Sequence, residues 1–99
     1  MHPHVPRSLV PLKPGDRVSA ILASTLSPHE KLLAICISQH LNRTGTTWLN
    51  VSTLERETSL SRSTLFRLLA TAEAAGWLVR SHHHRHASTF RIEWALLPT

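Results

Sequence analysis

The sequence contains a single cysteine and has no apolar run long enough to cross a bilayer. One cysteine cannot form an intramolecular disulfide, and the absence of a CxxC spacing leaves no cysteine-based metal site. The N-terminal stretch MHPHVPRSLVPLKPG is interrupted by four prolines, so it lacks the continuous apolar segment of a signal peptide. We therefore expect a cytoplasmic protein without a membrane partner, and we interpret Cys36, in the apolar run LLAICI, as a buried thiol.

Catalytic motifs are also missing. The chain has only 3 glycines and no glycine-rich phosphate loop, and it has no GxSxG stretch. Glu55 and Glu57 would point to different sides of one helix, so they do not form a pair of catalytic carboxylates. The sequence therefore predicts neither an enzyme nor a cofactor, and no small-molecule ligand is evident.

Acidic residues are scarce, and the basic ones are mostly arginine. The 6 acids face 11 Lys and Arg, nine of them Arg, which gives a formal net charge of +5. The planar guanidinium matches phosphates and guanine edges better than an ammonium does. This balance indicates a polyanionic partner, although composition alone leaves both nucleic acid and an anionic membrane surface open.

The chain divides into an extended, proline-rich basic arm over residues 1–15 and one domain over residues 16–97. Helical patterns with recognisable starts occupy the ranges 16–26, 28–42, 53–58 and 61–75. Their expected N-caps are, in order, Asp16, Ser27, Ser52 and Ser61. Glu30 and Glu55 would complete capping boxes with the second and third of these caps, and Gly76 would end the last helix.

Three stretches have the character of strands. TTWLN (46–50) is short, β-branched and aromatic, whereas 77–81 and 88–96 alternate apolar and polar residues around the polar loop HHHRHA (82–87). The two alternating stretches predict a β-hairpin. The expected fold is mainly α with a small β-hairpin wing, which is an α+β class.

The helix over 61–75 has two different faces. Leu65, Leu68, Leu69 and Ala72 would lie inward. The opposite face would carry Arg62, Ser63, Phe66, Arg67, Ala70 and Glu73, with Thr64 near its edge. Arginine can bridge guanine O6 and N7, hydroxyls can donate to phosphates, and an exposed ring can lie on a thymine methyl. Because a short helix and a three-residue turn precede it, the pair predicts a helix-turn-helix.

A different interpretation is that these arginines only solvate the surface and that Phe66 packs against the arm or the hairpin. On that interpretation the domain is a protein–protein interaction module without direct DNA readout. The local charge favours DNA, since five arginines and one acid lie between Leu60 and Arg91. Steep salt dependence of DNA affinity would distinguish the two functions.

Two segments, LSPHEKLL (26–33) and STLERETSLSRSTLFRLLATAEAAGWLVR (52–80), carry a family resemblance. They resemble the winged helix-turn-helix domains of bacterial plasmid and phage replication initiators and related regulators. The resemblance implies a three-helix core plus a short N-terminal helix, with the helix-turn-helix at 52–76 and the wing at 77–96. Two positions depart from the family pattern: Ser59 replaces the usual turn glycine, and Ala72 replaces a leucine.

The resemblance also implies roles for individual residues. Five residues of the last helix would face the major groove: Arg62, Ser63, Thr64, Phe66 and Arg67. Ser52 and Thr53 would hold a phosphate at the start of the preceding helix. The wing contacts would come from Arg80, His82, His83, His84, Arg85 and His86.

The biological role would be transcriptional regulation, or replication or maintenance of a plasmid or phage, in a bacterial cytoplasm. The partner would be double-stranded DNA, bound by a possible homodimer on a palindromic or repeated site. Either DRVSAILASTL (16–26) or WALLPT (94–99) could pair with a copy of itself, or could simply cover the core. Met1 is typical of a natural start, whereas the abrupt end ALLPT suggests that more chain follows.

The histidine cluster at 82–86 raises the question of a metal site. Consecutive residues on a loop diverge, and Arg85 within the run would repel a cation, so we expect no metal there. Histidines at a wing tip would donate to phosphates and would gain positive charge below about pH 6.5. We therefore predict tighter DNA binding at about pH 6 than at about pH 8 at fixed salt. A flat pH profile in a gel-shift titration would remove these histidines from the contacts.

Overall fold

A computed structural model describes residues 13–82 and 87–98. Its elements are α1 (Pro14–Ala23), α2 (Pro28–His40), β1 (Thr46–Leu49), α3 (Val51–Thr58), α4 (Arg62–Ala75), β2 (Leu78–His82), β3 (Ser88–Ile92) and a final 3₁₀ turn (Trp94–Leu96). Four helices and a small antiparallel sheet form an α+β winged helix-turn-helix arrangement, which confirms the predicted fold class. Within the described ranges, no helix is both long and apolar enough to span a membrane.

The sheet has three strands rather than the two of an isolated hairpin. Its order is β1-β3-β2, and both pairings are antiparallel. Thr46 faces Arg91 at one end of the β1 pairing, and Leu49 faces Ser88 at the end nearest the hairpin loop. β1 therefore attaches the wing to the start of α3, which follows it after one residue.

The second hairpin strand is shorter than the predicted 88–96. β3 ends at Ile92, and the chain then turns so that Trp94 becomes buried. The Glu93 N–H donates to the Trp77 carbonyl at 2.7 Å, which holds this turn beside the end of α4. Burial of the indole outweighs continuation of the alternating pattern.

The core lies between the helices and the inner face of the sheet. Its largest fully buried side chains are Trp77, Phe90, Ile21, Leu33, Ile37, Leu54, Leu65, Leu69 and Leu78. The predicted inward face of α4 is confirmed, because all four of its predicted members are buried. This packing fixes the rotation of α4 and therefore which of its side chains face outward.

Helix α1 begins two residues earlier than predicted. Lys13 is its N-cap and Pro14 its first residue, a position where the missing N–H of proline costs nothing. Asp16 therefore lies in the first turn and is not the cap. Residues 1–12 of the predicted arm lie outside the described residues.

The buried face of α1 is not formed by apolar side chains alone. Ile21 is fully buried, but Leu22 is 56% exposed and Val18 only partly buried. Arg17 takes the buried place instead, because its guanidinium donates to three backbone carbonyls at the end of α2.

The α2 start is confirmed in full. Ser27 and Glu30 form both halves of the predicted capping box. The helix ends at His40 rather than near Asn42. The Asn42 side-chain oxygen accepts the N–H groups of Thr44 and Thr46 instead, and this organises the turn into β1.

Helix α3 begins at Val51, and its N-cap is Asn50 rather than Ser52. The Asn50 Oδ1 accepts the Thr53 N–H at 2.9 Å and the Thr53 hydroxyl at 3.0 Å. Asparagine and serine cap about equally well, so two caps two residues apart compete in the sequence. The predicted Ser52–Glu55 capping box is therefore wrong, and the Glu55 carboxylate is available for another partner.

The turn between α3 and α4 places Ser59 in the left-handed region, with φ 60° and ψ 17°, as its replacement of the usual glycine predicts. A side chain there is strained by about 1 kcal/mol, while glycine loses more chain entropy on folding. We expect Ser59→Gly to raise the free energy of unfolding by about 0.5 kcal/mol, measured by urea denaturation. Ser59→Val should lower it, since a β-branched residue tolerates this region least; a stabilising valine would contradict the assignment.

Candidate nucleic-acid interface

The outward face of α4 carries the predicted groove-facing side chains. Arg62, Ser63, Phe66 and Arg67 are exposed, and Phe66 keeps 45% of its surface accessible. Thr64 is only partly buried. Its backbone N–H donates to the Ser61 Oγ at 3.2 Å, and the Ser61 hydroxyl donates to the Thr64 Oγ1 at 2.9 Å. The face therefore combines two cations, a hydroxyl and an exposed ring on the first two turns of one helix.

Arg62 is exposed but not unpartnered. Its Nε and Nη2 donate to the Glu55 Oε1 at 2.9 and 2.7 Å, and Nη2 also lies 3.4 Å from the Ser52 hydroxyl. The Arg62 side chain remains 56% exposed in this arrangement. The sequence does not reveal the pair, because Ser52 and Glu55 match the capping-box pattern.

Arg67 lies on the same face, further along α4. Among the described residues, none forms an ion pair or a side-chain hydrogen bond with its guanidinium. Its backbone carbonyl accepts from the Thr71 hydroxyl, a contact that does not involve the charge. Arg67 is thus a solvated cation whose hydrogen-bond donors are available to a ligand.

The start of α3 offers a second, smaller set of donors. The Thr53 N–H and hydroxyl both donate to the Asn50 Oδ1, so neither is available for the predicted phosphate contact. Ser52 is exposed and lies in the first turn, where backbone N–H groups lack intrahelical acceptors. Of the predicted pair, only Ser52 is placed to meet an anion.

Arg80 does not face outward from the wing, although the family resemblance implied a DNA contact for it. The alternation of β2 puts Arg80 on the inner side with Leu78, and its side chain is only 11% exposed. Its guanidinium carbon lies 5.9 Å from the centre of the Phe90 ring, and its Nε lies 3.8 Å from the Glu73 Oε1. Arg80 links the wing to α4 and does not project toward a ligand.

The wing tip lies outside the described residues. Of its predicted contacts, His83, His84, Arg85 and His86 belong to this gap. The backbone of His82 ends β2, but its side chain is not described. These five residues therefore remain predictions.

The outer face of the sheet carries side chains that the sequence did not single out. Trp48 is 55% exposed on β1, and Arg91 is exposed on β3 in an ion pair with Glu93 at 2.7 Å. A shallow depression of about 180 Å³ is lined by Thr46, Val79, Ser81, Thr89, Phe90 and Arg91. Strand alternation would have identified this face once β1 was known to pair with β3.

The single cysteine is only partly buried, rather than buried as predicted. Burial raises the pKa of the Cys36 thiol above its ordinary value, and the nearby Glu57 carboxylate raises this pKa further. The thiol is thus less reactive than a solvated one. Within residues 13–82 and 87–98, no three His, Cys, Asp or Glu side chains are grouped to hold a metal ion.

Comparison with known proteins agrees with this geometry. The sequence profile of a family described as a helix-turn-helix domain matches residues 24–78, which is more than half of the chain. The protein belongs to this helix-turn-helix family, and such a domain indicates DNA as its partner. Neither a curated protein nor a solved structure matches the chain.

Proposed function

We propose that this protein binds double-stranded DNA sequence-specifically, with α4 in the major groove. The observation that carries the proposal is the outward face of α4, where Arg67 is solvated and the ring of Phe66 is exposed beside it. A major groove admits one α-helix, and arginine there can bridge the two acceptors of a guanine. The buried opposite face holds the helix in this orientation.

Neighbouring elements would position the duplex. Ser52, at the start of α3, lies close enough to Arg62 for its hydroxyl to be 3.4 Å from Nη2, so both belong to one surface. A helix start favours an anion through its free N–H groups and its dipole. The predicted wing-tip residues, His82 to His86, would contact the phosphate backbone of the duplex. In this proposal Arg80 supports the wing from inside.

From the family resemblance we propose that DNA binding serves transcriptional regulation, or replication or maintenance of a plasmid or phage, in a bacterial cytoplasm. A homodimer on a palindromic or repeated site belongs to the same proposal. Leu22 and Leu96, one in each segment expected to pair, are each 56% exposed, which supports association through either segment. Sedimentation with and without a duplex containing two half-sites would decide the stoichiometry.

Selection from a pool of randomised duplexes tests the DNA-binding proposal. We expect an enriched motif whose affinity falls linearly on a log–log plot with salt, with a slope of about −0.9 for each phosphate neutralised. No enrichment, together with no duplex binding in dilute buffer, would contradict it. A protein-interaction module would give that result.

A further inference from the structure

We propose that Glu55 determines the specificity of DNA recognition by restraining Arg62, so that this arginine reads a base edge and does not bind any phosphate within reach. The inference rests on the proposed function, since it concerns how the same α4 surface discriminates between sites. Glu55 is a positioning residue here: it acts through Arg62 and is not itself expected to contact DNA.

The geometry of the pair limits what Arg62 can offer. A single carboxylate oxygen of Glu55 accepts from Nε and from Nη2, at 2.9 and 2.7 Å. Nη2 also lies 3.4 Å from the Ser52 hydroxyl. The two Nη1 hydrogens keep no partner among the described residues. Arg62 is therefore held from α3 with one end of its guanidinium turned away from Glu55.

Because of this restraint, Arg62 can bind a guanine edge more easily than a phosphate. A guanine edge is neutral, so it can accept from the outer end of the guanidinium while Glu55 keeps Nε. A phosphate that replaces Glu55 must leave an unpaired carboxylate beside an anionic backbone, which is unfavourable. An exposed pair of this kind is worth only about 0.2–1 kcal/mol in the free protein, so the guanidinium can still adjust on a matching site.

The same helix supplies a matched control. Glu57 has the same charge, but it lies on another side of α3 and its Oε1 is 2.7 Å from the His40 Nε2. Removing Glu57 therefore changes the net charge of α3 by the same amount without altering any described contact of Arg62.

The experiment measures the affinities of the full chain by fluorescence anisotropy on two probes, a selected duplex and a scrambled duplex of equal length. The variants are Glu55→Ala, Glu57→Ala, Arg62→Ala and the double variant Glu55→Ala/Arg62→Ala. Beyond the effect of Glu57→Ala, we expect Glu55→Ala to bind the scrambled duplex about two- to fivefold more tightly. Its salt slope on that duplex should steepen by about 0.9, one extra phosphate contact.

In the Arg62→Ala background, the Glu55 substitution should have no effect beyond that of Glu57→Ala. The inference would be overturned if Glu55→Ala and Glu57→Ala increased the affinity for the scrambled duplex equally, or if the increase from Glu55→Ala persisted in the Arg62→Ala background. Either result would mean that the effect comes only from the change in net charge. If wild type prefers the selected duplex but Glu55→Ala and Glu57→Ala have the same affinity for the scrambled duplex, the inference about Glu55 is wrong and the proposed function still stands. If wild type binds neither duplex, the proposed function fails with it. Thermal melts of each variant confirm folding.

Discussion

Replacing Arg17 with alanine is expected to lower the free energy of unfolding by about 3 kcal/mol. This is less than three full charge-assisted hydrogen bonds at about 1.5–3 kcal/mol each, because the three distances are long and burying the guanidinium itself costs free energy. The guanidinium donates to the carbonyls of Ser38, Leu41 and Asn42 at 3.4, 3.2 and 3.1 Å. These carbonyls surround the C-terminus of α2, where a cation also interacts favourably with the helix dipole. Truncation would leave acceptors unsatisfied next to the core. Urea denaturation followed by circular dichroism measures the change.

Two further variants make this test specific. Arg17→Lys keeps the charge but cannot span three acceptors, so it should lose about half as much free energy as alanine. Arg43→Ala removes an equal charge from the exposed turn after α2 and should change stability by less than about 0.5 kcal/mol. A loss for Arg17→Ala no larger than that for Arg43→Ala would show that these hydrogen bonds do not stabilise the fold.

Replacing Arg67 with alanine is expected to weaken binding to the selected duplex by about 1–3 kcal/mol and to relax specificity at one base pair. The reason is that Arg67 lies exposed on the outward face of α4 and has no ion-pair partner among the described residues. Stability should change little, because the side chain is solvated. Affinities for a panel of single-base variants of the selected duplex measure both effects.

Arg43→Ala is again the control, since it removes one positive charge from the turn between α2 and β1 and not from α4. It should weaken binding to all duplexes slightly and equally. If Arg67→Ala also weakens all duplexes equally, Arg67 contacts a phosphate and not a base. If both variants bind every duplex like wild type, Arg67 does not contact DNA.

Local chemistry explains which elements could be predicted from the sequence. Ser27 and Ser61 cap their helices as expected, and Gly76 ends α4 with φ 87°, because each signal acts within a few residues. The outward face of α4 was equally predictable, since helical periodicity alone divides its side chains. The start of α3 was not, because Asn50 and Ser52 are both good caps and only the structure shows which one is used.

Features that depend on distant parts of the chain were not predictable in the same way. The burial of Arg17 requires carbonyls more than twenty residues away, and a charged residue on a helix is otherwise expected outside. The pairing of β1 with β3 is equally non-local. The Glu55–Arg62 pair joins α3 to α4 across the turn of the helix-turn-helix. The sequence does not predict it, because Ser52 and Glu55 match the capping-box pattern. Arg80 differs, because strand alternation with Leu78 already indicated its inner position.

An NMR titration of ¹⁵N-labelled protein with the selected duplex would show whether the outward face of α4 contacts DNA. We expect amide shifts to concentrate at residues 61–67 and at the start of α3, while the amides around Arg43 stay unchanged. Shifts confined to the outer face of the sheet, around Trp48 and Arg91, with α4 unaffected, would contradict this expectation.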